Sequence, residues 1–178
     1  MSADSSSSTS SSSTPVTASH APNKGRGLPR SSDPASPKYR IERYPFFLMS
    51  HALGRYNRRM ERALRAIDSD QPHWRILMIL GQYGTTAVSR IADLAVLKLS
   101  TVTRIIQRMA RDGLVITATS TRDRRVTEVT LTENGWQALE EVRRVAGRIA
   151  REAFAEMDRS EVETLIEILA KLDTRLEG

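Results

Sequence analysis

A basic helix followed by two β-rich runs, between Ser100 and Gly135, constrains this 178-residue chain more than any other feature. The helical part reads STVTRIIQRMARDG, in which Ser100 suits the N-cap and Gly113 suits the C′ position. Apolar residues at helical spacing predict one buried stripe, made of Val102, Ile105, Ile106 and Met109. The helix is therefore expected to pack one face on a core and to leave the other face exposed.

The exposed face of this helix carries hydroxyl, amide and guanidinium groups and no acidic residue. Its members are Thr101, Thr103, Arg104, Gln107, Arg108 and Arg111. Such groups can bind phosphates and the acceptor-rich base edges of a DNA major groove. The alternative is an ordinary solvated helix face, because runs of charge usually face water.

The segment after the helix favours DNA binding. Between Leu114 and Thr132, two runs rich in Val, Ile and Thr flank the polar sequence STRDRR, which predicts a β-hairpin. Three arginines at its tip, Arg122, Arg124 and Arg125, could lie along a phosphate backbone or enter a narrow minor groove. Asp123 is placed to fix the direction of the Arg125 guanidinium through paired hydrogen bonds.

A further short helix is predicted upstream, in the sequence TTAVSRIADLAVL, where Thr85 and Thr86 are possible caps. Two adjacent short helices before a hairpin make a winged helix-turn-helix. Other helical patterns lie on both sides of it, so the expected order is four helices, a wing and two helices.

These residues resemble the MarR family of bacterial transcription regulators over roughly residues 41–178. The similarity is sharpest in IADLAVLKLSTVTRIIQRMARDGLV and in DRRVTEVTLTENG, which is similar to the family's D-x-R and L-T-x-x-G pattern. The matching positions are Asp123, Arg125, Leu131, Thr132 and Gly135. Val96 departs from the pattern, since many members have a glycine in the turn between the two helices.

The resemblance implies a homodimeric repressor that binds double-stranded DNA at a pseudo-palindromic operator. The residues expected in the major groove are Ser100, Thr101, Thr103, Arg104 and Gln107. Arg125, aimed by Asp123, is expected at the minor groove. The residues expected at phosphates are Arg108, Arg122 and Arg124.

The resemblance also implies a pocket for a small anionic aromatic ligand between the dimerisation helices and the helix-turn-helix. The candidate ligand-binding residues are Tyr44, His51, Arg55, Tyr56, His73, Trp74 and Arg75. Cationic donors beside aromatic rings suit an aromatic carboxylate. Core packing for the rings and a surface position for the arginines are the alternatives. The opening YRIERYPFFL faintly resembles regulators of aromatic and pyridine-carboxylate breakdown, which would point to a hydroxybenzoate or hydroxynicotinate.

The predicted fold is mainly α with a small β-wing: about six helices, a two-stranded hairpin and an intertwined dimer. Residues 1–37 are rich in Ser and Pro and poor in aliphatic residues, which predicts a disordered tail. Residues 38–178 form the MarR-like domain, with dimerisation helices at 38–68 and 133–178 and the winged helix-turn-helix at 71–132. The terminal helices carry more apolar surface than this small module can cover, so a partner subunit is expected.

Charge is unevenly distributed in this chain of net charge +6. Residues 98–125 hold seven basic and two acidic residues, a net +5, whereas residues 126–178 hold seven basic and twelve acidic residues, a net −5. A positive field on the proposed DNA face, beside acidic C-terminal helices, is typical of a nucleic-acid binder. A sequence-indifferent architectural DNA binder and a winged helix used for protein interaction remain alternatives.

The composition and motifs disfavour other classes of protein. The absence of cysteine excludes disulfides and thiolate zinc sites, and no apolar run approaches the roughly 20 residues that span a bilayer. The three histidines, at positions 20, 51 and 73, lack the close spacing of a metal pair, and no catalytic motif is found. A cytoplasmic protein that is not an enzyme and needs no cofactor is therefore expected.

Overall fold

The structure is a computed structural model that describes residues 27–177. The described chain falls into two compact units, divided between Pro45 and Phe46. The tail predicted for residues 1–26 lies outside the described residues.

The first unit is built from local turns. The Ser32 N–H donates to the Pro29 carbonyl at 2.8 Å, and the Arg40 N–H donates to the Ser31 carbonyl at 2.9 Å. These turns lie within the segment for which the sequence predicts a disordered tail, and Asp33 and Ser36 side chains accept local backbone hydrogen bonds in it. A 3₁₀ turn, Ile41–Arg43, lies near the end of the unit.

The second unit holds six helices and three short strands among the described residues, which confirms the predicted order of elements. They are α1 (Pro45–Arg65), α2 (Gln71–Tyr83), β1 (Thr86–Ala87), α3 (Val88–Ala95), α4 (Leu99–Arg111), β2 (Val115–Thr119), β3 (Thr127–Leu131), α5 (Glu133–Ala153) and α6 (Arg159–Leu176). No described helix combines the length and apolar character that crossing a membrane requires.

The strands form an antiparallel sheet in the order β1-β3-β2. The predicted hairpin of β2 and β3 is present, with Val115 opposite Leu131. The sheet also has a third strand that the sequence does not predict, because Thr86 and Ala87 pair with β3. A two-residue strand is too short to show any periodicity in the sequence. The sequence also suggests Thr85 and Thr86 as caps, but the N-cap of α3 is Ala87.

The core is built around α2, whose buried face includes Ile76, Leu77 and Leu80. Buried side chains from the surrounding elements complete it: Met60, Leu64, Ile91, Val102, Ile106, Met109, Val129, Leu139 and Val142. The predicted stripe of α4 is thus confirmed, with Ile105 only partly buried against the core.

The N-cap of α4 is not the predicted residue, whereas the C′ residue is. The helix begins at Leu99 with Lys98 as the N-cap, so Ser100 lies inside the first turn and does not cap it. Gly113 follows the C-cap Asp112 with a φ of 71°, the left-handed conformation predicted for the C′ position.

A candidate nucleic-acid interface

The joint between the wing and α5 explains the L-T-x-x-G pattern. Thr132 caps α5, since its hydroxyl accepts from the Gly135 N–H at 3.0 Å and donates to the Gly113 carbonyl at 2.6 Å. A Cβ at Gly135 would lie 2.0 Å from the Leu114 carbonyl oxygen, so only glycine fits there. This joint fixes the end of α4 and the start of β2 against α5.

The outer face of α4 presents the side chains predicted to enter a major groove. Ser100, Thr101, Arg104 and Gln107 are exposed. Thr103 is half-buried, and its hydroxyl donates to the Leu99 carbonyl at 2.9 Å. Thr103 therefore has its oxygen lone pairs, rather than its proton, to offer a base edge.

The wing tip carries three exposed arginines, and the predicted Asp123–Arg125 pair is present. Arg125 donates from Nε to Asp123 Oδ1 at 3.3 Å and from a terminal nitrogen to Oδ2 at 3.5 Å. The Arg125 backbone N–H also binds Oδ1, at 2.9 Å, so Asp123 holds both the turn and the side chain. Because the Arg125 side chain remains 92% exposed, the pair directs its guanidinium without burying it.

A groove of about 370 Å³ separates α4 from the wing. Thr103 and Gln107 line one side, while Thr117 and Arg125 line the other. The two predicted sets of DNA-binding residues thus flank one concave surface.

Arg108 differs from Arg104 and Arg111 on the same helix, because its guanidinium is bound by residues at the start of α2. A terminal nitrogen of Arg108 donates to Asp70 Oδ2 at 2.5 Å, and its Nε donates to His73 Nε2 at 3.2 Å. Asp70 is the N-cap of α2 and accepts from the His73 N–H at 2.9 Å. Sequence analysis missed Asp70, although an aspartate just before Gln71 and Pro72 is a typical N-cap signal.

The Asp70 carboxyl has a lowered pKa. Burial by itself raises this pKa, but hydrogen bonds from the backbone and ring of His73, and the charges of His73 and Arg108, outweigh burial. Because the pKa is depressed in the folded state, the resulting stability is present above about pH 4 and is lost as the pH falls through the folded value.

Val96, the departure from the family pattern, adopts the conformation that glycine usually supplies. It has a φ of 54° and a ψ of 48°, in the left-handed region, and it caps the end of α3. Its side chain is 86% exposed. The turn of the helix-turn-helix is therefore kept despite the β-branched side chain, at the expense of local strain.

The candidate ligand-binding residues differ in burial and in the unit to which they belong. Tyr44 belongs to the first unit, where its ring packs edge-on against Tyr39. His51 is exposed on α1, with its ring 4.2 Å from that of Phe47. His73 is buried, and its ring contacts Asp70 and Arg108.

Of the remaining candidates, Tyr56 and Arg75 interact electrostatically and Trp74 has an unpartnered buried donor. Burial raises the pKa of the Tyr56 hydroxyl, and the charge of Arg75 lowers it in part, so the two side chains are close enough to interact. Trp74 Nε1 and Asn57 Oδ1 are buried without a hydrogen-bond partner in the described chain. No group of three metal-ligating side chains occurs among residues 27–177.

Comparisons with known proteins agree on one family. The MarR family profile matches residues 70–127. The HTH-type transcriptional repressor IacR of Pseudomonas putida is 41% identical over 145 residues, which cover 82% of this chain and 87% of that protein.

Two solved structures show the same fold. BpsR of Bordetella bronchiseptica, described as regulated in its DNA binding by 6-hydroxynicotinic acid, has a TM-score of 0.68 at 21% identity, covering 76% of this chain and 96% of that chain. A cysteine-to-serine mutant of MarR of E. coli, in complex with operator DNA, has a TM-score of 0.64 at 21% identity, covering 74% and 95%. The winged helix-turn-helix, its wing motif and these matches show that the chain belongs to the MarR family of transcription regulators and is not an enzyme.

Proposed function

We propose that this chain is a homodimeric repressor that binds a pseudo-palindromic operator and leaves it on binding a small anionic aromatic ligand. The proposal of DNA binding rests on one observation. The exposed face of α4, which has no acidic residue, lies beside a wing in which Asp123 orients the Arg125 guanidinium. A helix of this kind reads bases in the major groove, and an arginine so presented suits the minor groove.

The DNA contacts follow from these positions. Ser100, Thr101, Thr103, Arg104 and Gln107 would read the major groove. Arg125 would enter the minor groove, and Arg122 and Arg124 would bind phosphates. Arg108 is left out of this assignment, because Asp70 and His73 already engage its guanidinium.

The dimer is supported by α6, in which no residue is buried within the chain. Large apolar side chains are exposed on α6 and on the first half of α1: Leu48, Leu53, Leu165, Ile166, Ile168, Leu169 and Leu176. Apolar surface of this extent marks an interface. We therefore assign residues 38–68 and 133–178 to dimerisation and 71–132 to DNA binding. Two copies of α4 would then read half-sites about one helical turn, roughly 10 base pairs, apart.

The ligand is supported by the electrostatic interaction of Tyr56 with Arg75 and by two buried polar atoms on the adjoining residues Asn57 and Trp74. Buried polar atoms without partners are rare in folded proteins, and Trp74 Nε1 and Asn57 Oδ1 are two of them. An aromatic acid with a hydroxyl group would offer the indole an acceptor, the amide oxygen a donor and Arg75 a carboxylate. A hydroxybenzoate or hydroxynicotinate has these groups, and such a ligand would act by binding the DNA-incompetent form more tightly.

A mobility-shift titration with the DNA upstream of the chain's own gene tests this function. We expect this DNA to be bound about a thousandfold more tightly than random duplex. Near-equal competition by random DNA would instead indicate an architectural binder, and the absence of salt-dependent binding would indicate a protein-interaction module.

The ligand is tested in the same assay with 2-hydroxybenzoate and 6-hydroxynicotinate, and with benzylamine as a cationic control of similar size. The acids should release the DNA and benzylamine should not. Trp74→Phe keeps an aromatic ring but removes the buried donor, so it should raise the acid concentration needed for release. An unchanged requirement would contradict the site.

A further inference from the structure

A three-residue network connects the second half of α4 to the start of α2. Arg108 bridges both acceptors at that point, the Asp70 carboxylate and the His73 ring, although it is 38 residues from Asp70 along the chain. Only 8% of the His73 surface is exposed, whereas Asp70 and Arg108 are half-exposed. The network therefore has an inner member, His73, that water barely reaches.

The contacts define which protonation state of His73 the network requires. Its Nδ1 lies 2.6 Å from Asp70 Oδ1, and an ionised carboxylate only accepts hydrogen bonds, so Nδ1 carries the proton. Its Nε2 accepts from the Arg108 Nε, at 3.2 Å. A terminal nitrogen of Arg108 also lies 2.7 Å from Nδ1, but both groups carry protons, so the hydrogen bond of Arg108 to the ring is the one at Nε2. A neutral ring keeps one acceptor nitrogen for this donor, whereas a protonated ring keeps none.

Building on the proposed function, we propose that Asp70 and His73 are positioning residues for DNA recognition, which hold α4 in its reading orientation through Arg108 most firmly while His73 is neutral. Arg108 directly follows Gln107 and lies one turn after Arg104, both on the proposed reading face. The other end of the network lies at the start of α2, a helix that Ile76 and Leu77 anchor in the core.

Protonation of His73 would remove one of the two bonds that hold Arg108, while the ion pair between Arg108 and Asp70 would remain. Nε2 would become a donor facing the donor Nε of Arg108, while the Nδ1 bond to Asp70 would become charge-assisted. The other charged groups that line this cleft, from the preceding turn, the end of α4 and α5, are Asp68, Asp112 and Glu141. Protonation of the ring would therefore loosen the hold on Arg108, which Asp70 alone would keep.

The consequence is a loss of specificity rather than of all binding. A less firmly held α4 would lose base contacts, which depend on orientation. Arg108 would stay on a basic surface and could still meet a phosphate. The ratio of operator affinity to random-duplex affinity should therefore fall with acidification, while random-duplex affinity should not fall.

The test is that ratio, measured between about pH 5.5 and about pH 7.5, the range in which histidine changes charge. We expect a fall of about tenfold in the wild-type protein, the effect of losing one charge-assisted hydrogen bond. His73→Gln, which does not titrate, should show a flat ratio. An equal fall in both proteins would overturn the proposal. Circular dichroism at each pH checks that the fold is intact.

Two arginine variants separate positioning from phosphate binding. Arg108→Gln should lower the ratio about tenfold at pH near 7.5. Arg111→Gln is the matched control, because the Arg111 Nε donates to the Gln107 carbonyl within α4, at 3.4 Å, so its loss should weaken both duplexes alike. Equal weakening of both duplexes by Arg108→Gln would show a phosphate contact and overturn the positioning role.

Asp70→Asn completes the set, because asparagine still caps a helix but lacks the charge. It should lower the ratio as Arg108→Gln does, and the double variant should be no worse than either alone. Additive losses would contradict a shared network. Failure of the proposed function would look different, since no salt-dependent DNA binding would then appear at any pH.

Discussion

The winged helix-turn-helix and α6 both carry many apolar residues, but they differ in whether these residues are buried within the chain. The first buries its apolar residues within the chain, with Ile91, Ile106 and Val129 at 2% exposure or less. The last helix buries none, and Ile166 and Leu169 are 60% and 40% exposed. One region is therefore complete in a single chain, and the other is suited to a second copy.

This difference separates what each region contributes to function. A module with its own core can present α4 and the wing as a fixed surface. Helices without a core of their own would set the distance between two such surfaces. The predictions below test this division, beginning with the largest expected effect.

Introducing charge on the exposed face of α6 should abolish dimerisation. Ile166→Glu combined with Leu169→Glu would place two carboxylates in the proposed interface, where they lose hydration without a partner. Sedimentation equilibrium should show a monomer, and operator affinity should fall at least about a hundredfold, because one half-site is lost. Glu163→Gln, which adds no charge to α6, should remain dimeric. A dimer that survives the double substitution would refute this use of α6.

Truncating the core of the winged helix-turn-helix should lower the free energy of unfolding. Ile106 is 2% exposed, so Ile106→Ala should cost about 2–5 kcal/mol in urea-induced unfolding. Ile116 on the wing is 60% exposed, and Ile116→Ala should change the value by less than about 0.5 kcal/mol. Similar losses at both sites would contradict a self-contained core.

Removing one arginine from each part of the DNA face should distinguish base reading from phosphate binding. Arg104→Ala should weaken operator binding by about 1–3 kcal/mol and relax sequence choice. Arg124→Ala should weaken all duplexes similarly and reduce the salt slope by about one unit. Mobility shifts on operator and random DNA at several salt concentrations measure both effects. Equal losses on both duplexes for Arg104→Ala would argue against direct readout.

The smallest effect should come from relieving strain at the turn before α4. Val96 lies in the left-handed region, which glycine adopts without penalty. Val96→Gly should raise the free energy of unfolding by about 1 kcal/mol, after the greater freedom of glycine in the unfolded chain is counted. Val96→Ala retains a Cβ and should gain less. Thermal unfolding of the three proteins provides the comparison, and a loss of stability in Val96→Gly would show that the side chain has a favourable contact.

The sequence alone predicted the features that depend on neighbouring residues. The buried stripe of α4, the left-handed Gly113 and the Asp123–Arg125 pair each involve residues within two turns of one another, and all are found. The same local reasoning gave the order of helices and wing. The N-cap prediction failed for Ser100, because the local sequence does not distinguish a serine at the N-cap from a serine within the first turn.

The tertiary structure decided the features that join distant segments. The third strand exists only because β3 supplies hydrogen bonds to Thr86 and Ala87, some 40 residues earlier in the chain. Arg108 belongs to an exposed basic face by its spacing, yet a carboxylate and a buried imidazole at the start of α2 take its guanidinium. Periodicity records which face of a helix is apolar. Only the packing of α2 against α4 determines which polar side chain meets another across the fold.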